Sequence, residues 1–452
     1  MTKPLLGVTR PSNSWQHRRS LSFLYFTYGS DLWPPRMRSV CPSARVVSTT
    51  SLEGWTLRYD KPSRDGSAKA NIRPDPAVAV PGVIYEIEDG ERQELDSAAP
   101  GYAARIFDVA GDRALSYIYQ GPSFAGRPFD WYVATVEAGA REHGLDPDSF
   151  SAETVIDPLA PGIRPADQRD LPLLQEILAG GLANDAGRYF IHPGDIAWWI
   201  YHDDPRYPDH DSIWLQDDRG FVVVDTLEPV EISVFTRQGV DRMPLVEWSQ
   251  RRLAVRGEVG WVADSDAELV EALQTRGYEP GFAYRVYEMG LKGNLPEPET
   301  PDGWSLRSMT GEGEADTRRA AAHAAFESSM DPAMHLRRYL DFMRSPVYMA
   351  ERDLVAVAPD GTVGAFMIWW ADPSGIAEIE PFGTHPEFHR RGIGRALMYH
   401  GLARMKEAGM TVVRVCTDDD RPATHFYEAC GFTDVGRLRW WKPPPSIGDD
   451  PA

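Results

Sequence analysis

Between residues 23 and 145 the apolar positions come in short runs broken by glycine, proline and aspartate, a pattern that predicts strands and turns. Further along the chain the period changes. Ile376 to Thr384 is short, apolar-rich and followed by Pro386, as a strand is, while Ala396 to Ala408 sets Leu397, His400, Gly401 and Met405 at helical spacing. Val412 to Thr417 predicts another strand. Asp420 to Gly431 then predicts an amphipathic helix capped by Asp420, with Pro422 early and Gly431 at its end. Asp266 to Tyr278 has the same ending and can be laid on Asp420 to Phe432 with glycine on glycine. Two breaks rich in proline and glycine, Gly144 to Gly162 and Gly293 to Gly303, divide these patterns into three modules.

Length and charge narrow the functional classes. A chain of 452 residues is too long for one ordinary core, and 42% hydrophobic with 25% charged residues is the balance of a soluble globular protein. Lysine and arginine number 47 against 67 acidic residues, so the net charge is 47 − 67 = −20. That argues against general binding to nucleic acid or to anionic membranes. No apolar run approaches the ~18 residues of a membrane span. Residues 1–20 carry Lys3, Arg10, Arg18 and Arg19 without a signal-peptide core and are expected to be a disordered extension. Cys41, Cys416 and Cys430 are scattered, without the spacing of a disulfide framework or a zinc site. They fit a reducing cytoplasm, and no metal is expected.

The strand, turn and helix start around residues 376–396 suit a phosphate. Main-chain N–H groups at such a junction converge on one point, and the helix dipole adds positive potential there. Gly392 and Gly394 let the chain pass close to a ligand, while Arg390, Arg391 and Arg395 bring charge.

Together, the turn His389 to Ala396 and the helix Asp420 to Phe432 resemble the GNAT acyltransferase superfamily, over roughly Gly303 to Pro443. Members bind acyl-coenzyme A on an R/Q-x-x-G-x-G turn and carry an N-x-x-A-x-x-x-Y-x-x-x-G-F helix. Here His389 stands where Arg or Gln is usual, and Asp420 where Asn is usual. The resemblance implies acetyl-coenzyme A as co-substrate, held by Phe382, Gly383, Thr384, His389, Arg390, Arg391, Gly392, Ile393, Gly394, Arg395, Asp420 and Ala423. It makes Tyr427 the general acid for the departing thiolate and Glu378 or Glu380, which share a strand face, the base for the amine. The strand should splay near Phe382 to Thr384, leaving main-chain groups for the pantetheine arm.

The middle module resembles a degenerate copy of the same family. Leu273 falls where Tyr427 stands, and Phe235 to Asp241 offers Arg237 and Gly239 without a second glycine at the needed spacing. Its expected task is packing against the third module or lining the acceptor site. His192 to Asp195, with Trp198 and Trp199, are candidates for shaping a pocket or anchoring a helix.

The first module resembles the γ-glutamylcyclotransferase family. The resemblance rests on Leu24 to Leu32, Arg36–Met37, Cys41 to Arg45, Val80 to Tyr85, Leu95–Asp96 and Gly139 to Leu145. It implies a small-ligand site at Tyr28, Gly29, Ser30 and Asp31, with Asp31 in place of the usual Asn. The family's catalytic glutamate is replaced by Ala99, and alanine cannot move a proton. Three readings of this module stay open: a retained binding pocket, catalysis through Asp96 or another acid, and a scaffold.

The expected architecture is multidomain: a small β-barrel-like α+β domain (residues 21–145), then two α/β GNAT-like mixed-sheet domains (162–292 and 303–443). Linkers at 146–161 and 293–302 and a flexible tail at 444–452 complete it. The expected function is acyl-coenzyme A-dependent N-acetyl transfer to a small amine or amino-acid-like acceptor. A non-catalytic ligand-binding protein and a bifunctional cyclotransferase/acetyltransferase are the alternatives.

Overall fold

The computed structural model describes residues 21–184, 191–201, 212–226, 229–253, 256–418 and 423–444. The expected extension at 1–20 and most of the expected tail lie outside them. The chain forms two compact units, residues 1–166 with 205–217, and residues 167–204 with 218–452.

In the first unit, strands β1 (Ser22–Thr27), β2 (Arg45–Pro62), β3 (Ala68–Glu88), β4 (Ala103–Val109) and β5 (Asp112–Ile118) make one sheet in the order β2-β3-β1-β5-β4. β1 lies antiparallel to β3 and parallel to β5. Neighbours in sequence are buried together, Tyr25 with Phe26, Ile84 with Tyr85 and Ala114 with Leu115, so both faces of the sheet are covered at its centre. Helices α1 (Pro34–Val40), α2 (Arg92–Ala98) and α3 (Asp130–Glu142) accompany this sheet, and β6 (Ile163–Pro165) pairs antiparallel with β7 (Ser212–Gln216).

Helices of the second unit are α4 (Leu171–Asn184), α5 (Pro193–Tyr201), α6 (Met243–Leu253), α7 (Ala267–Thr275), α8 (Ala315–Ala325), α9 (Pro332–Met343), α10 (Ile393–Glu407) and α11 (Ala423–Ala429). Its strands are β8 (Gly220–Asp225), β9 (Glu231–Thr236), β10 (Glu258–Ala263), β11 (Glu279–Gly290), β12 (Ser305–Ser308), β13 (Asp353–Val357), β14 (Val363–Ala371), β15 (Ile376–Thr384), β16 (Val412–Asp418) and β17 (Thr433–Lys442). They lie in the order β12-β13-β14-β15-β16-β11-β17-β10-β9-β8.

That order contains an exchange. β11, the last strand before the acidic linker, lies between β16 and β17, and β17, the last strand among the described residues, lies between β11 and β10. Each half therefore lends its final strand to the other, and one mixed sheet results. β14 is buried along nearly its whole length, which fits its continuous apolar sequence. Among the described residues, no helix is long and apolar enough to cross a membrane.

Candidate active site

β15 and β16 run parallel, but their pairing covers only Ile376 to Glu378 against Val412 to Arg414. β15 then continues along β14 as far as Thr384, and β16 continues along β11 as far as Asp418. Paired on their outer sides and unpaired on their inner sides, the two strands leave a gap between them from Ile379 onward. The parting begins earlier than the stretch Phe382 to Thr384 expected from sequence. α10 starts at Ile393, three residues before the expected Ala396, and this brings its N-terminus to the end of β15.

The turn between them is held open by its main chain. Gly392 is left-handed at φ 80°, and Arg390 also has positive φ, 60°. A Cβ on Gly394 would come within 2.6 Å of Thr384 Oγ1, so a larger residue there would push the Thr384 side chain aside. Among the described residues, no main-chain N–H from Arg390 to Arg395 has a protein acceptor. Six donors without a protein acceptor, at and just before a helix N-terminus, fit a pyrophosphate. The side chains contribute unevenly. His389 Nε2 is 2.9 Å from Thr384 O, so its ring braces the turn. Arg391 lies over the Phe388 ring at 5.5 Å, and Arg395 is 3.8 Å from Glu299 with both side chains largely exposed.

Tyr427 projects from α11 and is buried within an aromatic group: Tyr287 at 5.8 Å, Phe432 at 5.7 Å, Phe426 at 5.5 Å and Phe382 at 6.5 Å between ring centroids. Phe382 stacks on Phe426 at 5.4 Å. The Tyr427 hydroxyl has no hydrogen-bond partner among the described residues. Burial first, and then the nearby Glu380, raise its pKa far above the ordinary phenol value, so it holds its proton. Ala423 is half-buried at the start of α11; Asp420 lies outside the described residues.

Glu378 and Glu380 have different surroundings. Glu380 is exposed to water, although protein surrounds much of its carboxyl. Partial loss of hydration, then the charge of Asp195, raise it to about 8. Glu378 is buried, and its pKa is raised well above the carboxylate range by burial and then by Asp195. Its Oε2 finds no ordinary donor. A side-chain hydrogen bond with Asp195, whose own carboxyl burial raises to about 6, adds to the upward shift of Glu378.

Asp195 comes from the middle of the chain, and sequence reasoning gave it only a share in a pocket. Its position is fixed locally. His192 N donates to Asp195 Oδ2 at 3.0 Å, Gly194 N donates to His192 Nδ1 at 2.9 Å, and His192 Nε2 faces Ile376 O on β15 at 3.2 Å. His192 is therefore neutral, and burial lowers its pKa to about 4. His192 Nδ1 lies 3.9 Å from Glu378 Oε2. Gly194 packs on the Trp370 ring, and Trp370 Nε1 donates to Glu380 O at 3.0 Å. The only signal in the sequence was the string His192-Pro193-Gly194-Asp195, a helix start with its own cap.

Three comparisons bear on these elements. A sequence profile described as "Acetyltransferase (GNAT) family" matches residues 316–432. Mycothiol acetyltransferase from Pseudarthrobacter chlorophenolicus is 30% identical over 246 residues, 50% of this chain and 75% of that protein. The chain belongs to the acetyltransferase (GNAT) family. A second mycothiol acetyltransferase, from Arthrobacter sp. (strain FB24), is 26% identical over 324 residues, 68% of this chain and 94% of that one. A solved structure named gamma-glutamyl cyclotransferase is 26% identical over 30% of this chain and 92% of its own, with a TM-score of 0.29.

As a GNAT enzyme the protein is an acyl-coenzyme A-dependent N-acetyltransferase, and the family's co-substrate is acetyl-coenzyme A. The other expected site residues belong to the first unit. Asp31 is taken up by Tyr25 Oη at 2.8 Å and Arg36 Nε at 2.9 Å. Tyr28 Oη donates to Tyr117 O, and Gly29 lies beside Ala70 and the Tyr132 hydroxyl. Ala99 closes α2. Asp96, open as a substitute acid, is exposed and engaged by Arg92 and Tyr117; desolvation opposes these bonds, but they keep its carboxyl low.

Proposed function

We propose that the turn from His389 to Arg395 takes the pyrophosphate of acetyl-coenzyme A and that the acetyl group passes to the amine of a small molecule in the gap between β15 and β16. In this reading Glu380 is the base and Tyr427 the acid. The thioester, when bound, supplies the carbonyl carbon, where the new C–N bond forms as the C–S bond breaks. Glu380, as carboxylate, accepts the proton lost by the amine, directly or through water. Tyr427 gives its proton to the departing sulfur and is reprotonated from solvent.

The observation that carries this reading is the contrast between the two glutamates. Glu378 is buried beside Asp195, which favours its protonated form, while Glu380 meets water and has a pKa of about 8, where a base can both take and return a proton. The six free amides at the start of α10 support the donor site. Relatives named mycothiol acetyltransferase make a mycothiol-related amine the first acceptor to try. The test is release of free coenzyme A thiol from acetyl-coenzyme A with an amine panel. Amine-dependent release that Glu380→Gln suppresses and Glu378→Gln largely spares supports the assignment. The reverse pattern overturns it.

A further inference from the structure

The β2–β3 hairpin places Lys61 directly opposite Lys69. Residues directly opposite on antiparallel strands share a face, where like charges repel. Both are largely withdrawn from water: Lys61 is 8% exposed, and the Lys69 side chain 15%. Buried lysines ordinarily have a counter-ion.

Among the described residues, one acid answers the pair. Asp65 Oδ2 is 2.9 Å from Lys69 Nζ, while Asp65 Oδ1 accepts from Ser67. The other acids nearby are already engaged: Asp60 with Asn71, Arg73 and Ser123, and Asp31 with Tyr25 and Arg36. Lys61 has no ion-pair or hydrogen-bond partner among the described residues. Its ammonium lies 4.9 Å from the centre of the Tyr102 ring and beside Gly101. Burial lowers the pKa of both lysines, the sign of charge held without full compensation.

This excess charge sits beside the loop that follows α2. Gly101 and Tyr102 follow Ala99, the residue that replaces an acid in the resembling family. Tyr102 Oη donates to Ala70 O, Ala70 N donates to Tyr132 Oη, and Ala70 touches Gly29. The lysine pair therefore adjoins the Tyr28 to Asp31 turn. The loop that lost an acid faces a cation instead. We propose that this cluster binds a small molecule through a carboxylate seated on Lys61, as a binding site and not as a cyclising one. A single excess charge matches a monoanionic carboxylate and would be overbalanced by a phosphate dianion.

Acetate is the probe, because it is small enough to enter whatever the shape of the natural ligand. Saturation-transfer NMR on the full chain compares acetate with neutral acetamide at equal ionic strength. The expected result is transfer to acetate and not to acetamide, weakened roughly 10- to 100-fold in Lys61→Met and Lys61→Gln and retained in Lys61→Arg. Without acetate, Lys61→Met should melt higher than the parent, since it removes an uncompensated charge. Should Lys61→Met fail to fold, Lys61→Gln and Lys61→Arg carry the same comparison. Equal transfer to acetate and acetamide, or transfer independent of Lys61, overturns the proposal. So does Lys61-dependent broadening of the inorganic phosphate line with none of the acetate effect.

Discussion

The two halves of the second unit share a backbone plan and differ in what fills it. β9 and β10 pair in parallel only at Glu231–Ile232 with Glu258–Val259 and then part, as β15 and β16 do. Each opening strand leads through a turn with a left-handed glycine, Gly239 or Gly392, to a helix. The helices begin at Met243 and Ile393, so Arg242 stands where Gly392 stands. There the resemblance ends. Arg242 pairs with Asp266, the cap of α7, and both are buried, 4% and 3% exposed by side chain. Leu273, fully buried, takes the place of Tyr427. In the third module the same space is lined by free amides and a phenol. One topology thus yields either a closed core or an open site, according to whether the turn ends in arginine or glycine.

The sharpest test of that contrast is removal of the groups present in the open half alone. Glu380→Gln and Tyr427→Phe should each lower kcat by roughly 100- to 10,000-fold with the donor KM little changed. An effect below threefold for either would mean that substrate positioning alone drives the open half. In the closed half the corresponding loss is of stability. Asp266→Ala removes the cap of α7 together with a buried partner of Arg242, and should cost about 1 to 3 kcal/mol in denaturant unfolding.

Much of this plan was legible in the sequence because it is local. The strand Ile376–Thr384 has the bounds its apolar pattern predicts, and the glycine turn and the helix after it follow from spacing. The exchange of β11 and β17 was not legible, because a strand's alternation is the same whichever neighbour it pairs with. Nor was the link from Asp195 to Glu378, which joins residues far apart in the chain through one capped turn. The opposition of Lys61 and Lys69 depends on a hairpin register with three irregularities, which no spacing rule counts. Local signals gave the elements; partners brought together from a distance set the chemistry.

The donor site offers a second way to separate the halves. Gly394→Val pushes a side chain into Thr384 and across the amides of the turn, and should raise the KM for acetyl-coenzyme A roughly 10- to 100-fold. Gly239→Ala, in the closed half, meets no atom within 4 Å. It should cost about 1 kcal/mol for its left-handed backbone and leave that KM unchanged. A matching rise in KM from Gly239→Ala would show that both halves bind donor.

The smallest effect tests how the middle half serves the open one. Glu380 acts as carboxylate, and its pKa is raised to about 8 by partial loss of hydration and by Asp195. kcat/KM should therefore fall about tenfold per unit as pH drops below 8, and should show no alkaline limb from Tyr427, whose pKa lies far higher. The double variant Asp195→Asn with Glu378→Gln removes the negative charge that these two share beneath Glu380. The acid limb should then move down by about one unit. Asp195→Asn alone should move it less, because Glu378, released from its partner, ionises in turn. Stability follows the same sign. Folded-state pKa values of Glu378 and Glu380 lie above those of the unfolded chain, so the stability linked to them is full below the ordinary glutamate range and is lost as pH rises through 8. The double variant should flatten that loss. If its acid limb stays where the parent's is, Asp195 holds β15 in place without setting the basicity of Glu380, and the middle half contributes packing rather than charge.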